Sequence, residues 1–182
     1  MLEGRKVLLR PVKKSDVSLL VKWFNDPEVT QYLRMYLPMT EIGEERWIED
    51  LSTKRVGADV VFMIEVIVEG GKNPVPIGTC ELHNIRSKDQ DAEFGIAIGE
   101  KDCQEKGYGT EAATLLIEYG FNQLNLHRIH SGAVEFNKRS RKLHKKLGFR
   151  QEGRFRKEMF RNGRYWDHIL FGLLKEEWPG IK

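Results

Sequence analysis

A short glycine-containing segment carries the clearest chemical signal in this sequence. The run Gln104-Glu105-Lys106-Gly107-Tyr108-Gly109-Thr110 lies between a predicted strand and a predicted helix. Gly107 and Gly109 let the backbone come close to a ligand, and the N–H groups at a helix start have no partners within the helix. Together with the helix dipole these groups favour an anion such as a pyrophosphate, and Lys106 would add a positive charge.

Other nucleotide-binding and hydrolase motifs fit the sequence poorly. Gly107, Gly109 and Ala112 satisfy the spacing of a dinucleotide-binding loop, and the acidic Glu135 follows at about the expected distance. In that fold the first glycine directly follows a strand, whereas here residues 99–106 separate the predicted strand from Gly107. The sequence contains neither a Walker A loop nor a G-x-S-x-G nucleophile elbow.

The elements that must position this segment predict a mixed α+β fold. Apolar periodicity gives the order strand, two helices, three antiparallel strands, helix, strand, helix and hairpin, with one parallel crossover in the middle. Asn162-Gly163 between two β-rich runs is a strong hairpin signal. The predicted boundaries are a strand at 7–12, a helix capped by Ser15 and ended at Asn25-Asp26-Pro27, a helix at 41–51, strands at 59–69, 75–82 and 92–98 with a turn at 70–73, a helix after Gly109, a strand at 128–134, a helix at 138–147, and strands at 153–160 and 165–174.

Composition narrows the function classes. With 182 residues, 40% of them hydrophobic and 31% charged, the chain fits a single globular domain over residues 1–182 rather than a disordered chain. No apolar run is long enough to cross a membrane, and the N-terminus has no secretion signal. Two cysteines cannot form a disulfide framework or a four-ligand zinc site. We therefore predict a cytoplasmic protein without a metal ion.

Positive charge is concentrated in the second half of the chain. Residues 1–100 contain 13 Lys and Arg against 17 Asp and Glu, whereas residues 101–182 contain 17 against 10. The stretch 137–164 alone has 12 basic residues and two acidic ones, Glu152 and Glu158. Such a field attracts the phosphates of a nucleotide-type cofactor or of a nucleic acid.

An aromatic and methionine-containing segment lies between the first two predicted helices. It contains Tyr32, Met35, Tyr36 and Met39. The sequence leaves open whether these side chains pack in the core at a helix junction or form one wall of a substrate site.

Four ordered features resemble the GNAT acetyltransferase superfamily. The segment Gln104-x-x-Gly107-x-Gly109 is similar to its acyl-CoA motif, Q/R-x-x-G-x-G/A. The strand at 92–98 stands where the family has its fourth strand. Phe136-Asn137 followed by Leu147-Gly148-Phe149 is similar to the family's asparagine and helix-ending "LGF". The C-terminal stretch 152–170 resembles the ribosomal-protein (RimJ/RimL-like) N-acetyltransferase branch, and the resemblance covers essentially the whole chain.

This resemblance implies the fold and the co-substrate. The fold would be a mixed, mostly antiparallel central sheet with helices on both faces, splayed between the family's strands four and five, here 92–98 and 128–134. The pantetheine arm of acetyl-CoA would lie in that gap and pair with the backbone of the fourth strand. The acetyl-CoA-binding residues implied are Ile96, Ala97 and Ile98 for the arm, Gln104, Glu105, Lys106, Gly107, Tyr108, Gly109 and Thr110 for the pyrophosphate, Asn137 for the pantetheine, and Lys142, Lys145 and Lys146 for the 3′-phosphate.

The catalytic residues implied by the resemblance depart from the usual pattern. The family's tyrosine acid corresponds to His144, and a glutamate that some members carry on the fifth strand corresponds to Gly132. Glu93 on the fourth strand is then the leading base, acting through water, and Glu81 on the preceding strand is the second. A histidine titrates near pH 6.5, so His144 could donate or accept a proton, and simple packing is the alternative.

Direct acetyl transfer needs a neutral amine, a group or water chain that takes its proton, and a donor for the oxyanion. A backbone N–H of the fourth strand could supply that donor, and an acid for the leaving thiolate is useful but not obligatory. On the last strand, Asp167 and His168 are expected to have structural roles, with a position at the edge of the acceptor site as the alternative.

The predicted function is acetyl-CoA-dependent N-acetylation of an amine. The branch resemblance favours a protein N-terminal α-amine as acceptor, with a polyamine or another small amine as the alternative. Because the family's tyrosine and strand-five glutamate are missing, a non-catalytic acyl-CoA-binding module docked on RNA or a ribosome also stays open. The predicted partners are acetyl-CoA and the amine, with no membrane and no expected nucleic acid, and a homodimer is left open.

Overall fold

The structure, a computed structural model, describes residues 1–53, 59–67 and 73–180. The strands are β1 Leu2–Glu3, β2 Val7–Pro11, β3 Val60–Val66, β4 Val75–Arg86, β5 Asp91–Ile98, β6 Arg128–Val134, β7 Arg150–Arg161 and β8 Arg164–Leu174. The helices are α1 Val17–Phe24, α2 Pro27–Thr30, α3 Glu41–Thr53, α4 Tyr108–Asn122 and α5 Lys138–Lys146. The strands form one sheet in the order β1-β2-β3-β4-β5-β6-β8-β7, and every neighbouring pair is antiparallel except β5 and β6. The predicted α+β layout is therefore confirmed.

The predicted first helix begins later than expected and ends where expected. α1 begins at Val17, after a short 3-10 turn that contains Ser15, so the predicted Ser15 cap is wrong. α1 ends at Phe24, just before the predicted stop at Asn25-Asp26-Pro27. A short helix that was not predicted, α2, follows, and the Asp26 carboxylate caps it by accepting the N–H of Glu28 at 2.8 Å.

β4 and β7 extend further than their apolar patterns predict, whereas β2 and β3 are shorter than the predicted strands at 7–12 and 59–69. β4 continues to Arg86 and β7 begins at Arg150, where polar residues prolong the pairing. The short β1 precedes the predicted first strand, so the family's strands four and five are β5 and β6 here. The predicted turn at 70–73 lies outside the described residues except for Asn73, as do residues 68 and 69.

The two faces of the sheet carry different helices. Phe62 and Ile64 of β3 belong to the larger core cluster, which packs against α4 and against the Leu147–Phe149 end of α5. Met63 between them belongs to the smaller cluster with α1 and α3. Because successive strand residues point to opposite faces, α1 and α3 cover one face, which we call the front face, and α4 and α5 cover the back face.

A contact between α1 and the end of β5 anchors the segment that precedes the glycine loop. The Trp23 indole N–H donates to Glu100 at 2.7 Å. A methyl group on Gly99 would lie only 2.2 Å from the Trp23 ring, so only glycine lets the chain pass the indole here. The end of β5 is thereby held against the front-face helices.

A buried ion cluster joins β2, β3 and the turn before α1. The Arg10 guanidinium donates to Asp16 at 2.7 and 2.8 Å and to Glu65 at 2.7 Å. All three side chains are buried. Burial opposes ionisation of Asp16, but the hydrogen bonds from Arg10 and from the Lys13 N–H outweigh it and lower the pKa of Asp16. The cluster therefore stays charged and paired at neutral pH.

No helix in the described ranges is long and apolar enough to cross a membrane.

Substituting Arg10→Met should destabilise the protein by about 3–5 kcal/mol, because it leaves two carboxylates buried without their cation. Urea unfolding followed by circular dichroism measures this loss. Lys14→Met, which removes an exposed pair with Glu49, is the matched control and should unfold close to the wild-type midpoint. Equal unfolding midpoints for the two variants would contradict a structural role for the buried cluster.

Candidate active site

The parallel pair β5 and β6 separates after three residues. Pairing runs from Asp91 opposite Arg128 to Glu93 opposite His130 and stops there, although β5 continues to Ile98 and β6 to Val134. We call the space between 94–98 and 131–134 the wedge. The predicted splay is thus confirmed, and Ile96, Ala97 and Ile98 line its β5 side.

The closed end of the wedge is held by one side chain. The Ser131 hydroxyl donates to the Phe94 carbonyl at 2.8 Å, where the two strands begin to diverge. On its other edge β5 stays paired with β4 as far as Ile98 opposite Gly78. The backbone of 96–98 therefore has a strand partner on one side only, which suits it to pair with an extended ligand.

The glycine loop brings the start of α4 to the wedge. Glu105 and Gly107 both have left-handed backbone, with φ of +59° and +90°. A methyl group built on Gly109 would lie 3.5 Å from the Ile98 side chain, so the first turn of α4 packs directly on β5. The N–H groups of Tyr108 and Gly109 belong to that first turn, where helices lack internal partners. These two amides are the best placed for an anion.

Two of the seven backbone N–H groups that were predicted to bind the pyrophosphate already donate hydrogen bonds within the protein. The Gln104 N–H donates to the Lys101 carbonyl at 3.1 Å, and the Thr110 N–H donates to the Gly107 carbonyl at 3.1 Å. The Gln104 side chain also acts within the protein, since its amide donates to the Ile98 carbonyl at 3.0 Å. Gln104 thus fastens the loop to the end of β5.

Arg139 is a site residue that the sequence reasoning missed. Its guanidinium donates to the Gln104 side-chain oxygen at 2.6 Å and lies 3.3 Å from the Glu105 carboxylate. It therefore connects the start of α5 to the glycine loop. The run of basic residues in α5 pointed to this helix. Only the tertiary contact with the glycine loop distinguishes Arg139 from the neighbouring basic residues.

The remaining predicted cofactor residues lie on α5. Asn137 caps this helix, with its side-chain oxygen accepting the Ser140 N–H at 3.0 Å. The Nδ2 donor of the same amide is the group that would reach a pantetheine. Lys142 and Lys145 are exposed, and Lys142 follows Arg139 by three residues, which places both on one side of the helix.

A polar cluster occupies the front face beside the closed end of the wedge. His83 lies with its Nε2 3.3 Å from Glu93 and its Nδ1 3.5 Å from Glu81. Asn84 donates to Glu93 at 3.1 Å. His130 is opposite Glu93 on β6. The structure thus brings both carboxylates predicted as bases to one place.

The pKa values of the two carboxylates in this cluster are shifted in opposite directions. The hydrogen bond from His83 outweighs burial and holds the pKa of Glu93 at about 2, and the same contact raises the pKa of His83. Burial raises the pKa of Glu81 and lowers that of His130. Glu93 is therefore ionised at neutral pH and is a weak proton acceptor. Its role as a base stays a prediction, and its low pKa argues against that role.

His144 lies on the opposite face, within an aromatic box. Its ring stacks on Phe171 at 4.5 Å and meets Phe149 edge-on at 5.1 Å. Nδ1 donates to the Ser140 carbonyl at 2.7 Å, and burial lowers the pKa of His144 to about 4. A neutral ring held in this way favours packing over proton donation, and its role as an acid stays a prediction.

Gly132, the position of the missing glutamate, is covered by another residue. A methyl group on Gly132 would lie 2.2 Å from Nε2 of His168, so the imidazole of β8 occupies the space above this part of β6. Asp167 beside it is structural, as predicted: it accepts the Lys157 N–H at 2.9 Å and an Arg154 N–H at 2.8 Å, and so shapes the bulge in β7.

The aromatic segment contains one docked and one exposed tyrosine. Tyr32 packs against Phe136, with ring centroids 5.5 Å apart, and Phe136 in turn packs against Trp166 at 4.6 Å. Tyr36 is 81% exposed. The segment therefore docks beside the end of β6 through Tyr32 and leaves the Tyr36 side chain exposed.

Within the described ranges, no group of three or more His, Cys, Asp or Glu side chains has a metal-binding arrangement.

Comparison with known proteins agrees with this geometry. Residues 6–150 match a family model described as "Acetyltransferase (GNAT) domain". The chain is 30% identical to the spermidine N(1)-acetyltransferase of Escherichia coli over 98% of its length and 91% of the relative. It is 37% identical to the putative ribosomal N-acetyltransferase YdaF of Bacillus subtilis, over 58% of this chain and 57% of the relative. Among solved structures, spermidine N-acetyltransferase from Vibrio cholerae in complex with CoA and spermine superimposes with a TM-score of 0.86 at 26% identity, covering 96% of this chain and 98% of that one.

Substituting Gly107→Ala should weaken CoA binding at least about 10-fold. A side chain at φ +90° costs on the order of 1–2 kcal/mol, and the resulting shift turns the Tyr108 and Gly109 amides away from the anion. Isothermal titration with CoA measures the change. Gly163→Ala is the matched control, because this hairpin glycine has φ +78° and the same open surroundings. It should lose similar stability without weakening CoA binding, and equal CoA affinity in the two variants would contradict the assigned anion site.

Proposed function

The chain belongs to the GNAT acetyltransferase family and is an acetyl-CoA-dependent N-acetyltransferase, and we propose that its acceptor is a small aliphatic polyamine. The observation that carries this proposal is the pair of carboxylates, Glu81 and Glu93, on the front face beside the closed end of the wedge. Among the described residues, His83 is the one cationic group that lies between these two carboxylates, and an ammonium-rich acceptor would match the negative charge that it leaves over. The whole-length similarity to spermidine acetyltransferases supports the same class. The whole-length similarity to proteins named as N-acetyltransferases favours a catalytic role over a non-catalytic acyl-CoA-binding module.

For the co-substrate, the proposal assigns the wedge to the pantetheine arm. The backbone of 96–98 would pair with its amides, and the first-turn amides of α4 would bind the pyrophosphate. Asn137 would donate to the arm from Nδ2. Lys106, Lys142 and Lys145 would meet phosphate groups as exposed cations.

The chemical step is direct attack of a neutral amine on the thioester carbonyl. The new C–N bond forms as the carbonyl oxygen becomes an oxyanion, which a backbone N–H of β5 beside the wedge would stabilise. Collapse breaks the C–S bond and releases the thiolate of CoA, which is tolerable without an acid because thiol pKa values lie near 8.5. In this scheme the Glu93 carboxylate holds a neighbouring ammonium group of the acceptor rather than taking the proton.

A protein N-terminal α-amine is the second candidate acceptor. It is favoured by the similarity to the putative ribosomal N-acetyltransferase. It is also favoured by the β7–β8 hairpin, where exposed Phe155, Phe160 and Tyr165 stand among arginines that could contact a macromolecule.

The discriminating experiment is thiol release from acetyl-CoA with spermidine, spermine and short peptides that have free α-amines. We expect turnover with the polyamines at least about 10-fold more efficient, in kcat/KM, than with any peptide. A reversed preference would replace the proposed acceptor with the second candidate while leaving the acetyltransferase assignment intact.

Substituting Glu81→Gln should raise the KM for spermidine about 10-fold or more, because a hydrogen bond to a charged group contributes about 1.5–3 kcal/mol. The KM for acetyl-CoA should not change. Glu176→Gln, an exposed carboxylate near the C-terminal end, is the matched control and should behave as wild type. An unchanged spermidine KM in Glu81→Gln would argue against the acidic acceptor surface.

A further inference from the structure

One imidazole stands directly over the splayed part of β6. A methyl group on Gly132 would lie 2.2 Å from Nε2 and 2.6 Å from Cε1 of His168. Gly132 is two residues beyond His130, the last β6 residue paired with β5. The Nε2 edge of His168 therefore lies on the front face at the wedge, where a side chain of β6 would otherwise project.

The other edge of this ring faces a carboxylate. Nδ1 of His168 lies 2.7 Å from Glu158 of β7, and Arg34 lies 3.6 Å from the other oxygen of the same carboxylate. The His168 side chain is about 5% exposed, and its buried Nδ1 meets Glu158 at ion-pair distance but forms no hydrogen bond with the described residues. A histidine with a carboxylate beside one nitrogen, and with its second nitrogen over Gly132 at the edge of the wedge, resembles the arrangement of a general base.

The other titratable groups on this face are less suited to take a proton. Glu93 is too weak a base, and His83 lies between two carboxylates that favour its protonated form. His144 belongs to the back face. His130 and Glu81 are the competitors: His130 lies on β6 at the closed end of the wedge, 3.9 Å from Asp91, and burial raises the pKa of Glu81.

We propose that His168 is the general base of the acetyl transfer, with Nε2 taking the amine proton directly or through one water and Glu158 stabilising the resulting imidazolium. The proposal rests on the acetyltransferase function but not on which amine is the acceptor. As the C–N bond forms, the N–H proton of the attacking amine passes to Nε2. The thiolate of CoA leaves with the electron pair of the C–S bond, and the imidazolium returns its proton to solvent.

The groups around His168 predict the direction in which kcat/KM changes with pH. Burial lowers the pKa of His168, the carboxylates of Glu158 and Glu93 raise it, and Arg34 lowers it. A base is active when unprotonated, so kcat/KM should rise with pH through a group that titrates below about 6.5. Glu158→Gln should move this acidic limb to lower pH, whereas Arg34→Gln should move it to higher pH.

The central test compares His168→Gln with wild type in thiol release, with whichever amine the wild type turns over best. We expect kcat to fall about 100-fold or more, the acidic limb to disappear and the KM for acetyl-CoA to stay unchanged. Imidazole added to His168→Ala should restore part of the activity. His127→Gln, an exposed histidine before β6, is the matched control and should retain full activity and the wild-type pH profile.

Two further outcomes decide against the proposal. If His168→Gln stays folded, retains the acidic limb and loses less than about 10-fold in kcat, His168 is not the base. If instead His130→Gln abolishes the limb, His130 holds that role. Gly132→Ala gives an independent check, because its methyl group must displace the imidazole and should lower kcat while His168 itself is present. Failure of the wild type to acetylate polyamines would overturn the proposed acceptor. It would not affect the comparison of the His168, His130 and Gly132 variants with wild type, which uses whichever amine the wild type accepts.

Discussion

The interrupted ladder between β5 and β6 is the constraint on which the rest of the structure depends. An interior strand with one unpaired edge is unfavourable unless its backbone groups find partners, so the protein must hold β5 in place by other means. It does so through the paired β4 edge, the Ser131 hydroxyl at the closed end, Gln104 at the Ile98 carbonyl and Trp23 against Glu100. These contacts keep the wedge open in the free protein, so that a ligand meets a largely preformed slot and does not have to separate paired strands.

The front face of the sheet is shaped by residues that lack side chains. Gly95, Gly132 and Gly172 each lie where a methyl group would strike a polar side chain from a neighbouring strand: Glu81, His168 and Glu152 respectively. Each glycine therefore lets a carboxylate or an imidazole lie flat over the sheet instead of projecting from its own position. The functional groups on the front face are therefore positioned by pairs of residues that are distant in the sequence. In each pair, the glycine leaves the space that the side chain of the other residue occupies.

The sequence predicted what is encoded locally. The glycine loop, the helix after it, the Asn-Gly hairpin and the splayed pair all follow from short-range signals or from ordered motifs, and the structure confirms their positions. Arg139 was missed and His168 was assigned a structural role, because their surroundings depend on cross-strand register and on how α5 meets the loop. His144 was chosen by its motif position, but its aromatic surroundings and its bond to Ser140 become visible only once α5 is packed on the sheet.

The strand β7 closes the sheet with an edge that discourages association. Seven of its twelve residues are charged, and a bulge between Phe155 and Met159 breaks the regular run of outward N–H and C=O groups. A second sheet approaching this margin would have to bury like charges and skip the bulge, both of which oppose strand addition. The fold can therefore keep one partly open pair of strands in its interior without offering its rim as a template for aggregation when the protein is concentrated.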